Sequence, residues 1–425
     1  MILAPATLDG LSPAVWYRHQ SFLAERREAL VRGGNGAMRV DGVAQSWLMA
    51  TALCCLLANG SLAQVPEGAA LGTQEDHPTR TLSAPDPHWV YILEPVFPYL
   101  VSSKVWILDG DSLDFVGMAS AGYTANLVLG QDDSSFYITE TYWDRGTRGN
   151  RVDVVTTYDT RSLEPTDEVI LREGRFLVVP KKYNAQVTTD GRYLLSFNMD
   201  PSFGLSLVDL QEQQYVGEID TGGCSLAFPT GPMSVASLCP DGAFAHITFD
   251  AEGQAEVEIG EPFFDSEGDP VFEHAAVHRP SGKAFFVSYE GWVYPVTLDG
   301  VPVVGQRWQL QGEDQAAWRP GGWQLTAYHE PTDRLFVLMH EGGIWTHKQA
   351  GEEVWVFDAT SHELLERVPL EHHSHSMTVS QDEEPLMFAL TEAASVQVYD
   401  ATSFEHKGTK EGIGISPYLL YTFGE

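Results

Sequence analysis

The chain has 425 residues, with 25 Lys and Arg against 59 Asp and Glu, and a formal net charge of −34. That balance excludes nucleic acid and anionic membrane surfaces as partners, because phosphate binding needs a basic footprint. It suits solubility and the steering of a cationic ligand or a basic partner.

Residues 1–37 carry no pattern beyond a short charged helix over 16–32. Met38 and Arg39 precede an apolar run from Trp47 to Ala58, which leads to Ser61-Leu62-Ala63 and Gln64. This 12-residue run is too short to cross a bilayer. Small residues at 61 and 63 suit signal-peptidase cleavage. The expectation is translation from Met38, a signal peptide ending at Ala63, and a soluble, exported mature chain. A short buried helix is the alternative. Residues 64–83, rich in Gly, Pro, Thr and Glu, read as an extended arm. The chain thus divides into a non-mature extension and signal peptide (1–63), an arm (64–83) and one large folded domain (84–425).

From His88 a phrase recurs: a short apolar strand running into an aspartate and a polar turn. It reads VWILDG, VTTYDT, LSLVDL, HITFDA, YPVTLDG, VWVFDAT and VQVYDAT, with aspartates at 109, 159, 209, 250, 299, 358 and 400. Repeats of this length, each ending a strand in a turn, predict a β-propeller. Seven copies predict an all-β, seven-bladed propeller with four-stranded antiparallel blades. Hairpin phrases at 185–195, 276–286, 326–336 and 377–387 supply the inner strands. Runs such as Val354 to Phe357 are apolar on both faces, as strands sandwiched between neighbouring blades must be. Each repeated aspartate is expected to accept hydrogen bonds from backbone N–H groups of its turn. The stretch from Ser416 to Phe423 reads as a last strand that closes the ring against His88–Leu93.

Cys54 and Cys55 fall in the apolar run, which leaves Cys224 and Cys239 as one disulfide in an exported chain. Glu371-His372-His373-Ser374-His375 resembles a metal tract but has no second cluster of matching spacing. It reads as a solvated loop entering the last blade. His329, His340 and His347 read as hydrogen-bonded structural residues. No nucleophile elbow, phosphate loop or dinucleotide fingerprint is present. Trp318-Arg319-Pro320-Gly321-Gly322-Trp323 reads as a tight loop delivering two tryptophans either to a surface or to the core. Arg145, Arg148 and Arg151 form a basic island, either a docking site for an acidic partner or a solvated loop. Pro95 and Pro98 break any regular strand around Phe97, leaving aromatic residues on a held loop, as binding surfaces require.

Several of these motifs, in order, resemble the heavy (alpha) chain of the tryptophan tryptophylquinone amine dehydrogenases, methylamine and aromatic amine dehydrogenase. The phrases are Thr147 to Val155, Trp318 to Gln324 with Ala327-Tyr328-His329, Thr346-His347-Lys348, Val379 to Glu383, and the Cys224/Cys239 pair. The resemblance spans 88–425. It implies a non-catalytic scaffold subunit in a periplasmic heterotetramer of two heavy and two light chains. It implies that tryptophan tryptophylquinone and the catalytic base lie on the light chain, with no cofactor or metal on this chain. The implied reaction converts a primary amine to an aldehyde and ammonia, passing electrons to an amicyanin- or azurin-like blue-copper protein. Phe97, with Leu100 in a Phe-x-x-Leu phrase, matches the family's channel-lining phenylalanine. Arg145, Arg148, Arg151, Trp318 and Trp323 are the candidate docking residues. Motifs of both amine classes are mixed here, so the preferred amine stays open. A stand-alone propeller, either a lactonase-like metal hydrolase or a non-enzymatic binding module, is the alternative.

Overall fold

A computed structural model describes residues 81–177 and 179–425. The proposed signal peptide, the 16–32 helix, Cys54, Cys55 and most of the 64–83 arm lie outside the described residues. Within them the chain is an all-β propeller of four-stranded antiparallel blades. Four sheets have four strands, one has five, and one has eight.

The predicted blade pattern holds in the four-stranded sheets. In the sheet made of Ala185–Val187, Tyr193–Asn198, Gly204–Asp209 and Gln214–Asp220, each strand pairs with the next. The second and third strands are buried at every residue. Such burial requires neighbours on both faces, which explains the unbroken apolar runs. Outer strands face solvent: Ala255–Ile259 is exposed throughout.

Six of the seven repeated aspartates hold N–H groups of their own turn, and five of the six form the same turn. Asp109 Oδ1 accepts the N–H groups of Asp111 and Ser112 at 2.9 and 3.0 Å. Asp159, Asp209, Asp358 and Asp400 bind the N–H groups two and three residues on in the same way, whereas Asp250 takes those of Glu252 and Gln254. Four residues on, Leu113, Leu163, Gln213, His362 and Phe404 adopt positive φ. Asp299 is the exception, with no such bonds among the described contacts. Its strand ends at Thr297, and the outer edge of its sheet is split between Val303–Val304 and Trp308–Gln309.

The eight-stranded sheet departs from the expected separate blades. One 16-residue strand, Leu364–Val379, runs through it. Residues 364–374 pair with Gly351–Asp358, and residues 374–379 pair with Leu386–Thr391. The histidine tract is therefore in a strand and not in a loop. His372 and His373 are exposed, while His375 turns inward and bonds Ser376. His373 and His375 thus do not present a shared open face.

The ring closes as expected. Leu419–Tyr421 pairs antiparallel with Trp89–Glu94 in the register Tyr91↔Tyr421. Gln324 clamps the closing strand: its side-chain amide accepts from Leu420 N–H at 2.8 Å and donates to Leu420 C=O at 2.7 Å. The Cys224–Cys239 disulfide forms. It flanks the hairpin Ser225–Gly231/Ser234–Leu238, just beyond the Ser225↔Leu238 pair.

Candidate functional site at the loop end of the propeller

The aspartate turns occupy one end of the blades. The loops joining each second strand to its third occupy the other, and this end carries the candidate residues. Strand Trp89–Glu94 stops at Pro95, and the chain re-enters the sheet at Ser103. Between them Val96 and Leu100 adopt positive φ of 50° and 53°. Tyr99 and Leu100 both donate to the Val96 carbonyl at 2.8 Å, and Leu100 C=O accepts from Thr124. This bracing leaves Phe97 40% and Tyr99 66% exposed. Leu100 is half-buried.

Phe97 does not stand alone. Its N–H donates to Ser416 Oγ at 2.9 Å, and its ring meets Tyr418 edge-on at 5.0 Å. Tyr418 in turn lies 5.3 Å from Trp323, over whose ring the Lys348 ammonium sits at 5.5 Å from the centroid. Trp323 is fixed by its backbone: its N–H donates to His375 C=O and its carbonyl bonds His274 Nδ1 at 2.8 Å. The structure thus joins Phe97 and Trp323, which the sequence left apart, through Tyr418 and Ser416, which were not singled out as site residues. Beside them His347 stacks on Tyr289 at 4.1 Å, and Trp345 is 63% exposed next to Tyr289.

Burial sets the protonation of this face. It pushes the Tyr418 and Tyr289 hydroxyls upward, with the Glu273 carboxylate adding to the shift. It pushes His347 down and His274 down to about 4. At neutral pH these groups are uncharged. The arrangement offers an aromatic wall with neutral polar tips. Its charged groups are Lys348 and the Lys181–Glu273 pair.

The other candidates separate into two kinds. Arg145 and Arg148 are exposed at the tip of the hairpin Ser135–Trp143/Arg151–Asp159, at the same end as Phe97. Arg151 is committed within the fold: it bonds Asp153 Oδ1 at 2.9 Å and the Arg175 carbonyl. Trp318 lies in a short strand, Trp318–Pro320, and not in a loop. It packs 5.5 Å from Trp355 beneath the Arg367 guanidinium. The turn is confined to Gly321-Gly322, where a Cβ on Gly322 would meet the His375 carbonyl at 2.6 Å. Among the described residues no group of three or more His, Cys, Asp and Glu is arranged to hold a metal ion.

The profile of the methylamine dehydrogenase heavy chain matches residues 86–424, every strand of the propeller. The chain belongs to that family. The heavy chain of Methylobacillus flagellatus is 30% identical over 392 residues, covering 90% of this chain and 98% of that protein. The Methylophilus methylotrophus heavy chain is 28% identical over 86% of this chain and 91% of its own length. The Paracoccus versutus heavy chain is 30% identical over 80% of each. This chain is accordingly a heavy-subunit relative in the amine dehydrogenases. Solved structures of lower identity share its fold alone. A putative 6-phosphogluconolactonase from Bacteroides uniformis superposes with a TM-score of 0.53 at 11% identity, over 78% of this chain and 98% of that one. A dihydro-heme d1 dehydrogenase superposes with a TM-score of 0.52 at 16% identity, over 82% of this chain and 78% of that one.

Proposed function

We propose that this methylamine dehydrogenase heavy-chain relative is the scaffold subunit of a periplasmic quinoprotein amine dehydrogenase. A light chain bears tryptophan tryptophylquinone and the catalytic base. The quinone takes electrons from a primary amine, which leaves as aldehyde and ammonia, and a blue-copper protein accepts them. The heavy chain shapes the path to that cofactor. Phe97 is its channel wall, with Leu100 holding the loop from below. Arg145, Arg148 and Trp323 sit on the same end as Phe97 and are placed to meet a partner there. Arg151 and Trp318 support that face from within. The assembly is a heterotetramer of two heavy and two light chains. We also read the eight-stranded sheet as two blades sharing Leu364–Val379, which makes seven blades in all. The mature chain starts after Ala63, and the propeller from residue 84.

One observation carries this reading: an aromatic ring left 40% exposed on a loop that the fold otherwise braces tightly. Apolar surface held in water by a rigid loop has its use in contact with another molecule. Purification of the native complex tests it. The expected result is a small, cysteine-rich partner chain with a quinone absorbance. A chain that purifies alone and without a quinone sinks the proposal. Phe97→Ala in the assembled enzyme should change the kcat/KM ranking of small against bulky amines while assembly persists. An unchanged ranking removes Phe97 from the channel.

A further inference from the structure

We propose that Tyr418 and Ser416 are positioning residues for Phe97, so that a segment more than three hundred residues downstream sets amine selectivity. The inference rests on reading Phe97 as the channel wall.

The loop 95–102 fixes its own backbone through the Val96 carbonyl, and the aromatic partner of the Phe97 ring comes from outside the loop. A half-exposed phenylalanine has several staggered rotamers open to it. One contact holds the Phe97 backbone and one directs its ring, and both come from the closing segment. Ser416 Oγ takes the Phe97 N–H at 2.9 Å, and the Tyr418 ring stands edge-on to Phe97 at 89°. Edge-on packing is directional, because the positive ring edge faces the negative π cloud.

The closing segment is itself anchored. The Glu94 carboxylate is 1% exposed and accepts Ser416 N–H at 2.9 Å, Trp106 Nε1–H at 2.7 Å and the Ile415 N–H. Tyr418 N–H donates to the Leu93 carbonyl, and Tyr418 C=O accepts from Ser376 Oγ. The prop is thus built on the first blade at Glu94 and on the last strand at Tyr418.

The Tyr418 hydroxyl is buried, and no hydrogen-bond partner reaches it among the described residues. What Tyr418 gives Phe97 is therefore its ring, and this separates positioning from mere structural support. In the assembled enzyme, Tyr418→Phe should keep the wild-type kcat/KM ratio between a bulky arylalkylamine and a small alkylamine. Tyr418→Leu keeps the apolar volume but loses the flat ring. It should move that ratio in the same direction as Phe97→Ala, mainly through KM. Independently of turnover, Ser416→Ala should speed hydrogen exchange at the Phe97 amide by about tenfold, the loss of one hydrogen bond. If Phe97→Ala moves the ratio and Tyr418→Leu does not, the prop is overturned and the channel wall stands. If Phe97→Ala itself has no effect, both fall. If Tyr418→Leu does not assemble, unchanged exchange at Phe97 in Ser416→Ala overturns the proposal on its own.

Discussion

His88 shows how much of the ring seam is decided by one side chain. Its Nδ1 lies 2.7 Å from Asp111, and its Nε2 lies 3.1 Å from Asp382, in the turn of the last hairpin. Burial alone would lower its pKa. The hydrogen bond to Asp111 and the charge of Asp382 outweigh burial, and the net shift is upward from 6.5. Lys407 shares Asp111 at 3.0 Å and does not cancel this. A raised histidine contributes stability that is complete below the unfolded value and is lost as pH rises through the folded one. The unfolding midpoint should therefore fall as pH is raised from about 6 into the alkaline range. His88→Gln should flatten that part of the curve, as read by urea titration across the range. An identical slope in the variant would show that other groups carry it.

At the same scale, legibility from sequence was uneven. Phe97 was visible because two prolines flank it, a local signal. Its supports Glu94, Ser416 and Tyr418 lie far apart in the chain, and no periodicity links them. One clue existed: pairing the last strand with His88–Leu93 already brings residue 418 beside Leu93, and hence close to Phe97. Arg151 was misleading for the opposite reason. A basic island in an acidic chain looks like a docking site, and only tertiary structure shows the guanidinium also bonded to the Arg175 carbonyl.

Among the elements, the clearest sequence signal was the aspartate turn, because it is a local device. An Asp carboxylate can hold N–H groups two and three residues on without any help from the rest of the fold. The merged sheet was not legible. A strand of 16 residues that changes partner at residue 374 has no hydrophobic signature of its own. The ring-closing strand rests on a different device: the Gln324 amide, 2% exposed, stands in for a peptide group opposite Leu420. Gln324→Met keeps the volume but leaves the Leu420 N–H and C=O without that partner. Each buried orphan costs about 1–3 kcal/mol, so a loss of about 2–4 kcal/mol is expected from equilibrium unfolding. A loss below about 0.5 kcal/mol would mean that water or a shifted strand replaces the amide.

The full sequence carries a formal net charge of −34. Like charges on one compact body repel, and salt screens that repulsion over about 10 Å at 0.1 M. Raising the salt from about 0.02 M to about 0.2 M should therefore raise the melting temperature by several degrees, as followed by calorimetry. A fall would show that exposed ion pairs such as Lys407–Asp111 outweigh the repulsion.

Closure by Leu419–Tyr421 also sets an order of events. The first sheet takes its innermost strand from the far end of the chain, so Trp89–Glu94 has one unpaired edge until almost all of the chain is available. Pairings this distant in sequence form slowly, and an unpaired apolar edge is a template for foreign strands. The interval between emergence and closure is when that edge is most vulnerable to aggregation. A chaperone that covers Trp89–Glu94 during this interval would govern yield more than the stability of the finished ring does.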